Sequence, residues 1–395
     1  MKINKLLKIT VIFVLIITAV LLVFSCNSSA EVSSAPAQEN MMNLPPLKDS
    51  FQEYFLIGNI FNQNDVASSG ISNVRLSHHY NVLTAENDMK PYNLSLAPGR
   101  YSFSTADRMV NAAISSGFKV VGHTLLWHSQ IPDWQRGMAN RPKDTALEAM
   151  KQYITDVVTH FKGRIYSWDV LNEVFPDGVR ASNDWKTSMR TRGDNQSANP
   201  WFVAIGSDFV YEGFLAARLA DPNAILYYND YNMDQAGKAT MVRNMVRDVN
   251  ERYKAAYPGE NRLLIEGIGM QSHHNIEVST GNIRNSINLF RSLGVKISIS
   301  ELDVLSQSWS HYRNNTPVTF VGELTASILY ADYFRLFMEN SDIIERVSFW
   351  GVFDEQSWRA RGKPLIFEGR AVSNAKPAYF RIMEALEERQ NPVRD

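Results

Sequence analysis

Two glutamates occupy positions from which they could do chemistry together. Glu173 ends the run Tyr166-Ser167-Trp168-Asp169-Val170-Leu171-Asn172-Glu173, and Glu301 lies in Val295-Lys296-Ile297-Ser298-Ile299-Ser300-Glu301-Leu302-Asp303, 128 residues further on. Both runs are rich in aromatic and β-branched residues and free of Gly and Pro, so both read as buried strands. Pro176-Asp177-Gly178 turns the chain just after the first. Paired carboxyls whose environments push their pKa values apart can cleave a glycosidic bond: one protonates the leaving oxygen and the other attacks the anomeric carbon. The reading adopted is Glu173 as general acid/base and Glu301 as nucleophile, which predicts retention of configuration and carboxyls about 5–5.5 Å apart. Asn172, beside the acid, is placed to bond a sugar hydroxyl next to the reacting carbon. His273 is expected to orient Glu301 and keep it ionised. A lone strand-end Glu is most often a solvated loop residue or an ion-pair partner; two of them in polar company are much harder to explain that way.

A scaffold must bring these ends together. Beyond residue 50, short apolar runs alternate with longer amphipathic ones. Strands are expected at 55–60, 82–87, 119–127, 165–172, 224–229, 264–270, 296–300 and 346–351. Helices are expected at 106–116, 145–161, 203–219, 238–257, 281–293, 324–339 and 377–388. This repeat fits a single (β/α)8 barrel over residues 49–390. A doubly wound open sheet is disfavoured, because Phe61-Asn62-Gln63 follows the first strand where a Gly-rich phosphate loop would stand. Polar residues fall at or just past the strand ends: Glu86, Asn87, His123, Trp127, His128, Asn172, Glu173, Tyr228, Asn229, Gln271, His273, Glu301, Asp303, Trp350 and Asp354. A barrel gathers such residues into one bowl.

Composition narrows the function classes. The 395 residues are 45% hydrophobic and 21% charged, with 40 basic against 41 acidic residues. A near-neutral chain exerts no long-range pull on nucleic acid and suits an uncharged substrate. The single cysteine, Cys26, permits neither an internal disulfide nor a Cys-based zinc site. Residues 1–25 place Lys2, Lys5 and Lys8 before an apolar run, as a secretory signal does, and Val23-Phe24-Ser25-Cys26 resembles a lipoprotein cleavage box with Cys26 lipidated. The competing reading is cleavage near Ser28-Ser29-Ala30. Residues 26–48, rich in Ser, Ala, Asn, Gln and Pro, read as a flexible tether. An exported protein is therefore expected, anchored at the cell surface or in the periplasm, or else secreted.

Trp127, Trp350 and Trp358 stand where an indole face can stack on a sugar ring, although indoles are more often core residues, and for Trp134, Trp185, Trp201 and Trp309 that core reading is kept or no role is assigned. No metal is expected: His-Glu-x-x-His spacing is absent, and the adjacent His273 and His274 would diverge on a strand. His78 and His79 read as a surface helix end. No Gly-x-Ser-x-Gly elbow, P-loop or dinucleotide fingerprint occurs, and no cofactor is expected.

Seven motifs in order resemble the family 10 glycoside hydrolases, whose main activity is endo-β-1,4-xylanase. They include Thr84-Ala85-Glu86-Asn87-Asp88-Met89-Lys90, Gly122-His123-Thr124-Leu125-Leu126-Trp127-His128, Trp168-Asp169-Val170-Leu171-Asn172-Glu173 and Tyr228-Asn229-Asp230-Tyr231-Asn232. Gly267-Ile268-Gly269-Met270-Gln271-Ser272-His273, Ser300-Glu301-Leu302-Asp303 and Phe349-Trp350-Gly351-Val352-Phe353-Asp354, followed by Ser357-Trp358-Arg359, complete the set. The resemblance implies xylan and xylo-oligosaccharides as substrates and a monomer. It implies that Glu86, Asn87 and Lys90 bind the sugar toward the non-reducing side. His123, Trp127, Asn172, Gln271, His273 and Trp350, with His128 nearby, would surround the ring being cleaved. Trp358 would close over it, and Tyr231 would face the leaving group. Spacing alone would equally permit a glucanase or a mannanase. A non-catalytic glycan-binding lipoprotein is the reading from another class, and the intact glutamate pair argues against it. The chain departs from the family at Pro91, where many members carry Trp, and in the long polar loop 174–200.

Overall fold

The computed structural model describes residues 39–191 and 198–392. The signal segment, Cys26, most of the expected tether, and Arg192-Gly193-Asp194-Asn195 lie outside the described residues.

Eight parallel strands close on themselves: β1 (Leu56–Phe61), β2 (Val82–Ala85), β3 (Lys119–Leu126), β4 (Ser167–Asn172), β5 (Ile225–Asp230), β6 (Gly267–Met270), β7 (Lys296–Leu305) and β8 (Ile344–Phe349). Neighbours pair in sequence order, β8 also pairs with β1, and β6 with β7 joins the remaining edges, leaving a closed (β/α)8 barrel. A helix follows each strand: α1 (Val74–His79), α2 (Ser104–Ser115), α3 (Lys143–His160), α4 (Asp208–Ala220), α5 (Ala236–Ala256), α6 (Thr280–Arg291), α7 (Phe320–Glu339) and α8 (Pro377–Gln390). The strands are legible as apolar runs because a parallel sheet wrapped in helices is covered on its outer face and filled inside. Close packing sets some residue choices. A Cβ on Gly122 would come within 2.2 Å of the Trp168 ring, which itself rests against Phe161 at the end of α3.

Three expectations are corrected. The helix expected at 203–219 is two, Pro200–Ile205 and α4, because Gly206 turns the chain at φ +81° between them. The tether does not extend to Lys48. Met41 and Leu47 are fully buried, the Met41 amide donates to Ser373 O at 2.9 Å, and Asn40 bridges to Asn374. His79 does end α1, but it is buried rather than on the surface. Its Nε2 meets Met41 O at 2.9 Å, and its Nδ1 accepts from the Leu47 amide at 3.3 Å. The apolar residues of this segment recur every third position (Met41, Leu44, Leu47) and fill the space beside α1, so the packed body begins near Asn40. Among the described residues, no helix is long and apolar enough to cross a membrane.

Candidate active site

Pairing in the barrel shifts register just below the strand ends, between His123 and Leu126 on β3, Asp169 and Leu171 on β4, and Ile299 and Leu302 on β7. Such irregularities re-aim side chains and concentrate beside active sites. Past the last of the β4 residues, Glu173 takes φ +55°, a left-handed conformation uncommon for a residue with a side chain. Its amide donates to Asn229 O at 2.9 Å, and its carbonyl accepts from Arg190 Nε at 2.8 Å. The Glu301 amide donates to Gln271 O at 2.9 Å. The backbone at both glutamates is therefore tied to neighbouring strands.

Three amide side chains join the two carboxyls. Gln271 Nε2 donates to Glu173 Oε1 at 3.0 Å and to Asn172 Oδ1 at 3.2 Å. Asn229 Nδ2 donates to the same Asn172 oxygen at 3.0 Å and to Glu301 Oε1 at 2.8 Å. Ser300 Oγ donates to Asn229 Oδ1 at 2.6 Å and fixes which way that amide faces. The approach requires glycine at 269, where a Cβ would stand 2.2 Å from Asn229 Oδ1. Trp127 Nε1 donates to Glu173 Oε2 at 2.9 Å, and His128 Nε2 stands 4.0 Å from the same oxygen.

The environments of the two carboxyls diverge. Burial pushes Glu173 up, and the charges of Asp230 and Glu301 add to this against the hydrogen bonds from Gln271 and Trp127. Burial also acts to raise Glu301, but the hydrogen bond from His273, the fields of His123 and His273, and the Asn229 amide outweigh it and hold it below the usual range. His273 Nε2 meets Glu301 Oε2 at 3.1 Å, and its Nδ1 meets Asp303 Oδ2 at 3.1 Å. Burial opposes charge on His273, yet these two carboxylates push it up to about 9, so it is an imidazolium at neutral pH. Asp303 is held in turn by Arg359 and by Trp358 Nε1 at 3.1 Å. The site therefore carries one carboxyl that favours its proton and one that has lost it.

Both glutamates and all twelve expected binding residues line one cleft of roughly 770 Å³. Glu86 and Asn87 lie at the end of β2, where Asn87 Oδ1 accepts from the buried Lys90 at 2.9 Å. Lys90 Nζ also sits 5.2 Å from the Trp127 ring centre. Burial raises Glu86 and lowers Lys90, each opposed by the other's charge. His123 Nδ1 meets Asp169 Oδ2 at 3.0 Å, with its ring edge-on to Trp350. Burial, Arg190 and Lys238 lower His128 to about 3, so it is neutral. Trp350 is buried in the cleft wall, whereas Trp358 is 60% exposed. The Tyr231 ring lies 3.7 Å from Lys238 Nζ, and its hydroxyl accepts from Arg190 at 2.7 Å.

His273 and His274 do diverge: His274 packs against Tyr333 away from the cleft, where burial lowers it to about 3. Among the described residues, no group of three His, Cys, Asp or Glu could hold a metal ion. The sequence reading assigned no role to Arg190, Trp309 or Arg359, which also line the cleft, nor any specific role to Asn229 and Asp303. The two strand-end polar residues were visible in their motifs. Arg190 and Trp309 sit in irregular or short segments with no periodic signal. Trp185 and Trp201 are core residues as read, and Trp134 packs partly buried against Trp201.

A closed parallel barrel with split carboxyls at its strand ends defines the class, an α/β-barrel protein with the site of a glycosidase. Residues 46–385 match glycosyl hydrolase family 10, and the chain belongs to that family. It is 35% identical over 381 residues to an endo-1,4-beta-xylanase A of Thermotoga neapolitana, a match that covers 90% of this chain and 32% of that protein. An endo-1,4-beta-xylanase of Geobacillus stearothermophilus is 34% identical over 356 residues, covering 86% of this chain and 98% of its own length. The chain thus spans about a third of the Thermotoga relative and nearly all of the Geobacillus one. A crystal structure of a GH10 xylanase from termite gut that contains a bacterial Ig-like domain superposes with a TM-score of 0.85 at 57% identity, covering 89% of this chain and 80% of that one.

Proposed function

We propose that this protein is an endo-1,4-β-xylanase that hydrolyses internal β-1,4-xylosidic bonds of xylan with retention, Glu173 serving as acid/base and Glu301 as nucleophile. The observation that carries the reading is the opposed tuning of two carboxyls linked through Gln271, Asn172 and Asn229. Glu173 protonates the departing sugar oxygen while ionised Glu301 attacks the anomeric carbon; water deprotonated by Glu173 then releases the glycosyl-enzyme. Asn229 and His273 occupy both oxygens of Glu301, so the attacking carboxylate is held in one orientation. In this reading Glu86, Asn87 and Lys90 bind the sugar on the non-reducing side and Tyr231 faces the leaving group, as the resemblance implies; all four line the cleft. Xylose lacks the hydroxymethyl group of glucose, so crowding by Lys90 and the Trp350–Trp358 wall favours xylan over glucan.

The test is proton NMR of products from xylohexaose and cellohexaose, run in parallel. Release of β-anomeric xylobiose and xylotriose with cellohexaose left whole is expected. Initial α-anomers would remove the retaining mechanism, and binding without cleavage would move the protein to the glycan-binding class. The same proposal places the protein outside the cytoplasm as a monomer anchored by lipid at Cys26. Cys26→Ala should move it from the membrane to the soluble fraction on cell fractionation; an unchanged distribution would refute the anchor.

A further inference from the structure

Arg190 lies on the long segment between β4 and α4, is fully buried, and does two jobs at once. Its Nε donates to the Glu173 carbonyl at 2.8 Å, and its Nη2 donates to the Tyr231 hydroxyl at 2.7 Å. Its own amide donates to Val174 O at 3.0 Å, so the peptide after the acid is gripped from the same residue. From the opposite side, the Val174 amide donates to Tyr228 OH at 3.2 Å, and that hydroxyl donates to Asp230. Asp230 also accepts from the Tyr231 amide at 2.9 Å and from Lys238 at 3.0 Å. Burying a guanidinium is costly. Among the described residues this one makes no carboxylate pair; it uses its rigid planar fork to join two places that no single ammonium could span.

We infer that Arg190 is a positioning residue that locks the left-handed backbone of Glu173 to the Tyr231 platform, so that a sugar seated on Tyr231 meets a correctly aimed acid. The inference rests on the function proposed above and adds to it a coupling between leaving-group binding and protonation. A 1 Å error in placing a reacting group is enough to lose about 100-fold in rate.

The experiment compares kcat/KM of wild type and Arg190→Met on two substrates: xylopentaose, whose leaving group needs a proton and rests on Tyr231, and dinitrophenyl β-xylobioside, whose leaving group needs neither. We expect a loss of about 100-fold on xylopentaose and of less than about 3-fold on the aryl substrate. Tyr231→Phe added to Arg190→Met should cost little more, because both remove the same link. Equal losses on both substrates, or additive losses in the double variant, would mark Arg190 as general scaffolding and overturn the inference. If Arg190→Met does not fold, Arg190→Lys, which keeps the charge but not the fork, must show the same substrate split at smaller size, and an even loss again overturns it. A wild type that cleaves neither substrate would refute the xylanase reading itself, an outcome distinct from an even loss in an active enzyme.

Discussion

The two glutamates differ through their partners. Glu301 has His273 on one oxygen and Asn229 on the other, and His273 is charged because it lies between two carboxylates. Glu173 has only neutral donors and two acidic neighbours. Glu301→Ala should therefore lower turnover of all substrates by about 10⁴-fold or more. Glu173→Ala should lower kcat/KM on xylohexaose by at least about 100-fold while largely sparing glycosylation from dinitrophenyl xylobioside, which needs no acid. Equal residual rates of the two variants on the aryl substrate would overturn the assignment. In the pH profile of kcat/KM, the acid limb reports Glu301 and the alkaline limb Glu173. Asp303→Asn removes the main charge that offsets burial at His273, so the imidazole loses its proton at lower pH than about 9. The His273 resonances, followed by an NMR pH titration, should report this lower value; an unmoved titration would show that Asp303 does not hold the imidazolium.

Elements matter through where they end and what they pack on. The register shifts on β3, β4 and β7 lie just below the reacting groups, so the ladder gives way where side chains are re-aimed. The segment from Asn40 to Lys48 shows the reverse case, an irregular stretch that has become part of the core. Met41 is fully buried there and its carbonyl meets His79. Truncating a buried methionine leaves a cavity, and Met41→Ala should cost about 3 kcal/mol, read as a lower urea midpoint at unchanged m. A chain starting at Asp49 should lose more, since it also removes the buried Leu44 and Leu47 and uncovers what they pack on. An unaltered midpoint in Met41→Ala would show that the segment packs without stabilising.

For the whole molecule, stability should depend on pH through histidines buried without charge. Burial lowers His79 to about 4, from about 6.5 when unfolded. A depressed folded pKa means that its share of stability is complete above about 6.5 and is lost as pH falls through the folded value near 4. By pH 5 this one site should have lost about 2 kcal/mol. Asp354, raised by burial to about 6 against the pull of Lys376, has the opposite slope, so the comparison must be made at a single site. The fall in Tm between pH 7.5 and 5 should be smaller in His79→Gln than in wild type; parallel falls would show that His79 does not titrate in this window.

The barrel was legible in the sequence, as was the placement of the two glutamates at its strand ends. Parallel strands wrapped by helices must be apolar runs, and polar residues can cluster only at their ends. The eight strands and the pair Glu173 and Glu301 could therefore be read from local pattern, and the binding residues from Glu86 to Trp358 from the motif resemblance, whereas Arg190, Trp309 and Arg359 could not. Only the tertiary structure decided what depends on contacts between distant segments. Burial, His273 and Asn229 set the charge of Glu301. A left-handed turn clamped by Arg190 aims Glu173. His79 receives Met41 and so draws an apparently polar tether into the core. Each of these is a free-energy balance between groups far apart in the chain, and no window of neighbouring residues contains both sides of it.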